Sequence, residues 1–225
     1  MFNETLIPLR EKKFAKTKIA IMNAFVERLN TIRFEDISIR DICESVEVSE
    51  ATFFNYFPKK IDILKYFKQL GTTRIYWHLK LNEDDLTGLE KIYAAFDAIA
   101  DIIRNSDFFL ELVSTFTKEK IYPELIDISD AEKFYAFPDM PQLADKPCMM
   151  LDQLFKDLWE ETIQQKQISP KMVQENFVIA LISLMIGVPL AIRKENFKDL
   201  KKYYHEQIDV LLGSYRQAGK NKKRK

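Results

Sequence analysis

Residues 48–60 read VSEATFFNYFPKK, with four aromatic rings in five positions, then a proline and two lysines. A core strand does not end in adjacent charges, and a surface helix does not carry rings on every side. Some of these rings must therefore be fixed while others stay exposed. Ser49, with Glu50 in first-turn position, announces a helix start. Pro58 ends that helix, because it disfavours helical geometry at Phe57 and has no N–H to donate. So short a helix does not hold itself together in water. Val48, Phe53 and Phe57 are its candidate anchors, the last two one turn apart. Glu50, Ala51, Thr52, Phe54, Asn55 and Tyr56 are left to face outward or sideways.

Upstream, Ser38 and Asp41 have the S-x-x-D spacing of a capping box. The helix they start lasts to about Ser45, with Ile39, Ile42 and Val46 as anchors. Two short helices joined by about three residues are a helix-turn-helix signal. A first helix spans about Leu9 to Asn30, with Ile21, Phe25, Leu29 and Ile32 on one stripe. Its start carries Arg10, Lys12, Lys13, Lys16 and Lys18 against one acid, Glu11. Lys59 and Lys60 open a fourth helix in the same unfavourable sense for the helix dipole, as they would if an external anion supplied the missing charge. That helix carries Ile63, Phe67, Leu70, Trp77 and Leu81.

Further helices are predicted from Leu89 to Asn105, after Ser106 or Asp107, and from Cys148 to Gln167. Four of the eight prolines lie between Tyr122 and Pro147, which predicts short helical pieces and loop there. Ser169 and Pro170 have the form of a cap and first turn for a long apolar helix, and Asn196 starts a last one. With five glycines, 47% hydrophobic and 30% charged residues, the chain reads as all-α and globular. The uncharged run from Phe177 to Ile192 is shorter than a membrane span of about 20 residues and contains Gly187 and Pro189. It is expected to be a helix hidden by its own domain and a partner chain, with no membrane involved.

A formal charge of zero confines any attraction to nucleic acid to local patches. Cys43 and Cys148 make no disulfide framework, and the first residues lack the pattern of a signal peptide, so a cytoplasmic location is expected. His78 and His205 stand alone, and no metal-binding, phosphate-loop or nucleophile-elbow motif is present. Neither an enzyme nor a bound cofactor or metal is expected.

The basic first helix, then S-I-R-D-I-C, then V-S-E-A-T-F-F-N-Y-F-P-K-K-I-D-I-L resemble the TetR family of transcriptional regulators over Lys18 to Leu64. The core of the match is Ser49, Thr52, Phe53, Tyr56, Phe57 and Lys60. The resemblance implies a helix-turn-helix DNA-binding domain over 1–64, a helical ligand-binding and dimerisation domain over 65–218, and a basic tail over 219–225. It further implies a homodimer, joined through its last two long helices, on a palindromic operator, and a repressor released by a small, largely apolar ligand. Carried over, Ser38 and Arg40 touch phosphates, while Thr52, Tyr56 and Lys60 grip the DNA backbone. Glu50, Ala51 and Asn55 lie nearest the base edges, and Ser49 and Phe54 complete the surface. The implied ligand pocket draws on Phe96, Phe109, Phe116 and Tyr122, together with Phe155, Trp159 and Phe177. Three family glycines are replaced, at Arg33, Glu47 and Ala51, and Phe54 stands for a frequent tyrosine. The competing class is a helical adaptor that binds only protein, which leaves Tyr56, Lys59 and Lys60 without a purpose.

Overall fold

A computed structural model of the chain describes residues 5, 7–81, 86–103, 105–118, 125–192 and 194–216. They form helices α1 (Leu9–Arg28), α2 (Ile39–Ser45), α3 (Glu50–Tyr56), α4 (Asp62–Leu81), α5 (Gly88–Ile103), α6 (Ser106–Lys118), α7 (Asp130–Ala136), α8 (Leu151–Gln164), α9 (Gln174–Ala191) and α10 (Leu200–Leu212). The described residues contain no strand beyond one antiparallel bridge between Ile168 and Arg216. The protein is all-α. Contacts gather Met1–Trp77 with Asp107–Met150 into one compact unit, and His78–Ser106 with Leu151–Lys225 into another. This grouping differs in kind from a functional division at residue 64.

The caps of the two short helices are present. Ser38 Oγ accepts from the Asp41 N–H at 3.2 Å, and Ser49 Oγ accepts from the Thr52 N–H at 3.1 Å. Each satisfies a donor that the helix itself cannot, an effect of about 1 kcal/mol. Between the two short helices, Glu47 has φ of 56°. The Val48 N–H donates to the Cys43 carbonyl and the Glu47 N–H to that of Glu44, a Schellman closure whose left-handed position favours glycine. This is where the family turn glycine is missing. Glu47→Gly is expected to raise stability by up to about 1 kcal/mol, the relief of left-handed strain less the added freedom of the unfolded chain. A rise in the urea midpoint at constant m-value checks it.

In the first unit, Ile21 and Phe25 of α1 and Leu29 just beyond it meet Ile42 of α2, Phe53 of α3 and Ile63 and Leu64 of α4 in one core, joined by Phe108 of α6 and by Phe137 and Leu143. Burial of these side chains, rather than helix propensity, holds the two seven-residue helices. Helix α7, one of the short helical pieces expected between Tyr122 and Pro147, starts with a complete capping box between Ser129 and Glu132 and lies against α1. In the second unit, α9 packs against α8 and α10, and α10 against α5. Phe96 stacks on Phe155 (centroids 5.9 Å apart, 14° between planes) and meets the edge of Tyr204 at 4.9 Å.

Several boundaries differ from expectation. Helix α1 ends at Arg28, which leaves Ile32 beyond the helix and exposed, and Leu81 is exposed at the end of α4. Helix α9 begins at Gln174, not at Ser169–Pro170: Ser169–Met172 forms an isolated turn, closed by the Met172 N–H on the Ser169 carbonyl at 3.0 Å, and Val173 is extended before the helix. Helix α10 begins at Leu200 after a 3-10 stretch, Lys194–Asp199, that occupies the expected start at Asn196. The apolar run forms α9, which is long and apolar enough to cross a membrane by length and composition. Its own unit covers only one side: Phe177, Leu181 and Val188 are buried, whereas Ile179 is 62% exposed and Leu190 is 49% exposed.

Candidate nucleic-acid interface

Helix α3 separates its side chains as the opening stretch requires. Phe53 is fully buried and Phe57 nearly so, with ring centroids 6.2 Å apart. Glu50, Ala51, Phe54 and Asn55 are exposed, and Thr52 and Tyr56 are half-buried at the flanks. Phe54 stands edge-on to Phe53 at 5.3 Å while remaining 44% exposed. The Tyr56 ring leans on Phe14 of α1 at 4.6 Å, so that Leu9, Arg10, Lys13, Phe14 and Tyr56 line a shallow hollow. Arg28 ties the neighbouring helix in place by donating to the Ala24 and Asp41 carbonyls at 3.2 Å each.

The outward side of α3 thus mixes polar groups with the Phe54 ring, and its polar groups have chemistry suited to a duplex. Hydroxyls and ammonium groups suit phosphates, which position a protein without reading sequence. Asparagine can pair with adenine, and a carboxylate can accept from the amino group of cytosine. Ser49 and Thr52 hydroxyls already share a hydrogen bond of 2.9 Å. Arg40 is exposed and pairs with Glu44 at 2.9 Å, an association worth little in water and easily exchanged. The Glu44 hydrogen bond and charge raise the Arg40 pKa further above its ordinary value.

One sequence expectation about lysines is corrected here. Helix α4 starts at Asp62, not at Lys59. Its missing negative charge comes from within, since the Asp62 carboxylate accepts from the Lys59 N–H at 3.0 Å. Lys18 does not belong to an open basic face. Its ammonium lies 2.6 Å from Glu132 and over the rings of Tyr66 (4.4 Å), Phe14 (5.6 Å) and Phe57 (5.7 Å). Burial, followed by the Glu132 carboxylate, pushes the Tyr66 phenol well above its ordinary pKa. Lys16 reaches over the Tyr135 ring at 4.7 Å.

No protein-family model matches the sequence, and neither does any curated protein. Solved structures do. A TetR-family regulatory protein from Rhodococcus RHA1 superposes with a TM-score of 0.56 at 14% identity, over 91% of this chain and 99% of its own. A TetR-family regulator from Agrobacterium tumefaciens gives 0.55 at 16% identity, over 92% and 100%. A γ-butyrolactone receptor gives 0.52 at 11% identity, over 91% and 90%. The chain has the TetR-family fold.

Within the TetR fold, the aromatic residues singled out for a ligand pocket do not all lie together. Phe96, Phe155 and Phe177 are fully buried in the second unit, where Trp159 is half-buried and donates to the Met172 carbonyl at 2.8 Å. Phe109 and Phe116 lie on α6 in the first unit, Phe109 buried and Phe116 half-buried beneath the Lys68 ammonium at 5.4 Å. Tyr122 and the tail over 219–225 fall outside the described residues. His205 pairs with Asp97 at 2.9 Å on the face shared by α10 and α5.

The role of the Phe34–Asp36 turn between α1 and α2 had no signal in the sequence. Its Phe34 ring is buried edge-on to Phe25, and the Glu35 carbonyl accepts from Lys60 Nζ at 3.2 Å. Only long-range contacts reveal it.

Proposed function

We propose that the protein is a DNA-binding transcriptional regulator, a repressor that leaves its palindromic operator when a small, largely apolar effector binds. The observation that carries this reading is α3. Phe53 rivets it to the core, while Glu50, Ala51, Phe54 and Asn55 face solvent between hydroxyls suited to phosphates. Residues 1–64 read DNA and 65–218 bind the effector and dimerise. The protein acts by binding, without catalysis or cofactor, in the cytoplasm. That a γ-butyrolactone receptor shares the fold supports the effector class. Phe96, Phe155, Trp159 and Phe177 are its contacts in the second unit, with Phe109, Phe116 and Tyr122 as further candidates.

The partner on DNA is a second copy of the chain. The uncovered side of α9, with Ile179, Ser183, Gly187 and Leu190 at helical spacing, supports a self-complementary seam. A dimer places two α3 helices about 34–36 Å apart, one turn of duplex. An effector releases DNA only by binding better to a dimer with a different spacing.

Selection of bound fragments from genomic DNA, followed by titration at several salt concentrations, tests the reading. Lys60→Ala is expected to weaken binding to all sequences and to lower the salt slope by about 0.9 per half-site. Glu50→Ala is expected to change preference at one base pair per half-site. Wild-type protein with no salt-dependent affinity for any recovered duplex sinks the proposal and favours the protein adaptor.

A further inference from the structure

Lys60, the lysine assigned to a DNA phosphate, is held before any DNA arrives. Its ammonium donates to the Glu35 carbonyl at 3.2 Å and sits over the rings of Phe34 (4.8 Å) and Phe25 (5.9 Å). Burial lowers its pKa, opposed by the nearby Glu35 and Asp36 carboxylates. An ammonium has three donors, so one bond to Glu35 leaves two for a phosphate. Both the carbonyl and the nearer ring belong to the single turn Phe34–Asp36.

That turn is itself held from α6. Glu111 Oε1 accepts from the Phe34 N–H at 2.8 Å, across 77 residues of sequence. Lys118 Nζ donates to Glu35 Oε1 at 2.8 Å. The hydrogen bond from Lys118 lowers the Glu35 pKa and keeps that carboxylate charged and paired. We propose that Glu111 and Lys118 are positioning residues for DNA binding: by anchoring the Phe34–Asp36 turn, they fix where the Lys60 ammonium meets a phosphate. The proposal rests on α3 and Lys60 facing DNA.

Two physical effects support it. A lysine side chain has rotamer entropy to lose on binding, and a carbonyl and a ring that already confine it remove part of that loss. Lys118 also neutralises a carboxylate that would otherwise repel the duplex.

The sign of one substitution separates positioning from simple charge. Glu111→Ala removes a negative charge, so long-range electrostatics alone predicts tighter binding to DNA. Positioning predicts the reverse. Titration of the full chain with a fluorescent duplex of mixed sequence is expected to show Glu111→Ala binding several-fold more weakly, with a salt slope shallower by about 0.9 per half-site, as for Lys60→Ala. Glu111→Gln keeps the acceptor and is expected to restore the wild-type slope. In a Lys60→Ala background, Glu111→Ala is expected to add nothing, because the contact it serves is already gone. If Glu111→Ala prevents folding, Glu35→Ala on the exposed turn, which also removes a negative charge and breaks the tie to Lys118 Nζ while keeping the Glu35 carbonyl, gives the same sign test. Unchanged or tighter binding by folded Glu111→Ala overturns the proposal, as does an additive loss in the Lys60→Ala background. Wild-type protein without salt-dependent binding overturns the DNA reading itself, a distinct failure.

Discussion

Glu132→Ala is expected to destabilise the protein by about 3–5 kcal/mol, because it strands a charge in a largely buried site. The Glu132 side chain is 6% exposed and that of its partner, Lys18, 14% exposed. Without the carboxylate, the Lys18 ammonium has the faces of Tyr66, Phe14 and Phe57 but no counter-charge. Loss of the carboxylate also breaks the cap of α7, whose Ser129 N–H and hydroxyl donate to Glu132 Oε2 at 3.0 and 2.7 Å. The double variant Lys18→Met, Glu132→Leu removes both charges at similar volume and should recover much of the loss. Chemical denaturation of wild type and the two variants measures this, and a loss below about 1 kcal/mol for Glu132→Ala means the pair is dispensable.

The same pair has a pH signature. Burial alone would push the Glu132 carboxyl up, but the Lys18 ammonium beside it and the hydrogen bonds from Ser129 outweigh burial and hold the pKa below the ordinary value of 4.5. A folded pKa depressed below the unfolded one contributes stability that is fully present above the unfolded value and is lost as the pH falls through the folded one. The stability gap between wild type and Glu132→Gln is therefore expected to be constant near neutrality and to narrow below about pH 4.

Phe53→Ala is expected to cost about 3–5 kcal/mol, the range for a fully buried aromatic reduced to a methyl. Helix α3 has seven residues and cannot persist without that rivet, so DNA binding and the unfolding midpoint should fall together. Its neighbour gives the contrast. Phe54 is 44% exposed, so Phe54→Ala is expected to change stability by less than about 1 kcal/mol while altering affinity for DNA. A Phe54→Ala protein that loses as much stability as Phe53→Ala would place Phe54 in the core and remove it from the reading surface.

The all-α class, the two short helices and the rivets Phe53 and Phe57 were legible because their causes are local. A serine three residues before a free N–H caps it, a proline stops the helix, and rings one turn apart share a face. The family resemblance marked Glu47 as replacing a turn glycine, and the structure shows that position to be left-handed. The errors have the opposite character. Ser169 has the spacing of a cap, but its N–H pairs with the carbonyl of Tyr215, 46 residues away, and α9 starts only at Gln174. Lys18 belongs to a basic run in sequence, yet Glu132, brought by α7, withdraws it from the surface.

For the candidate interface the division is similar. Sequence alone determined that a polar helix face begins at Ser49, because caps, breakers and periodicity act over a single turn. Tertiary structure alone decided that Lys60 is confined by Glu35, that Glu111 and Lys118 of α6 hold the turn beneath it, and that α9 keeps one apolar side uncovered. These depend on which distant groups arrive within about 3 Å of one another, and hydrogen bonds and ion pairs at that range carry no periodic trace along the chain.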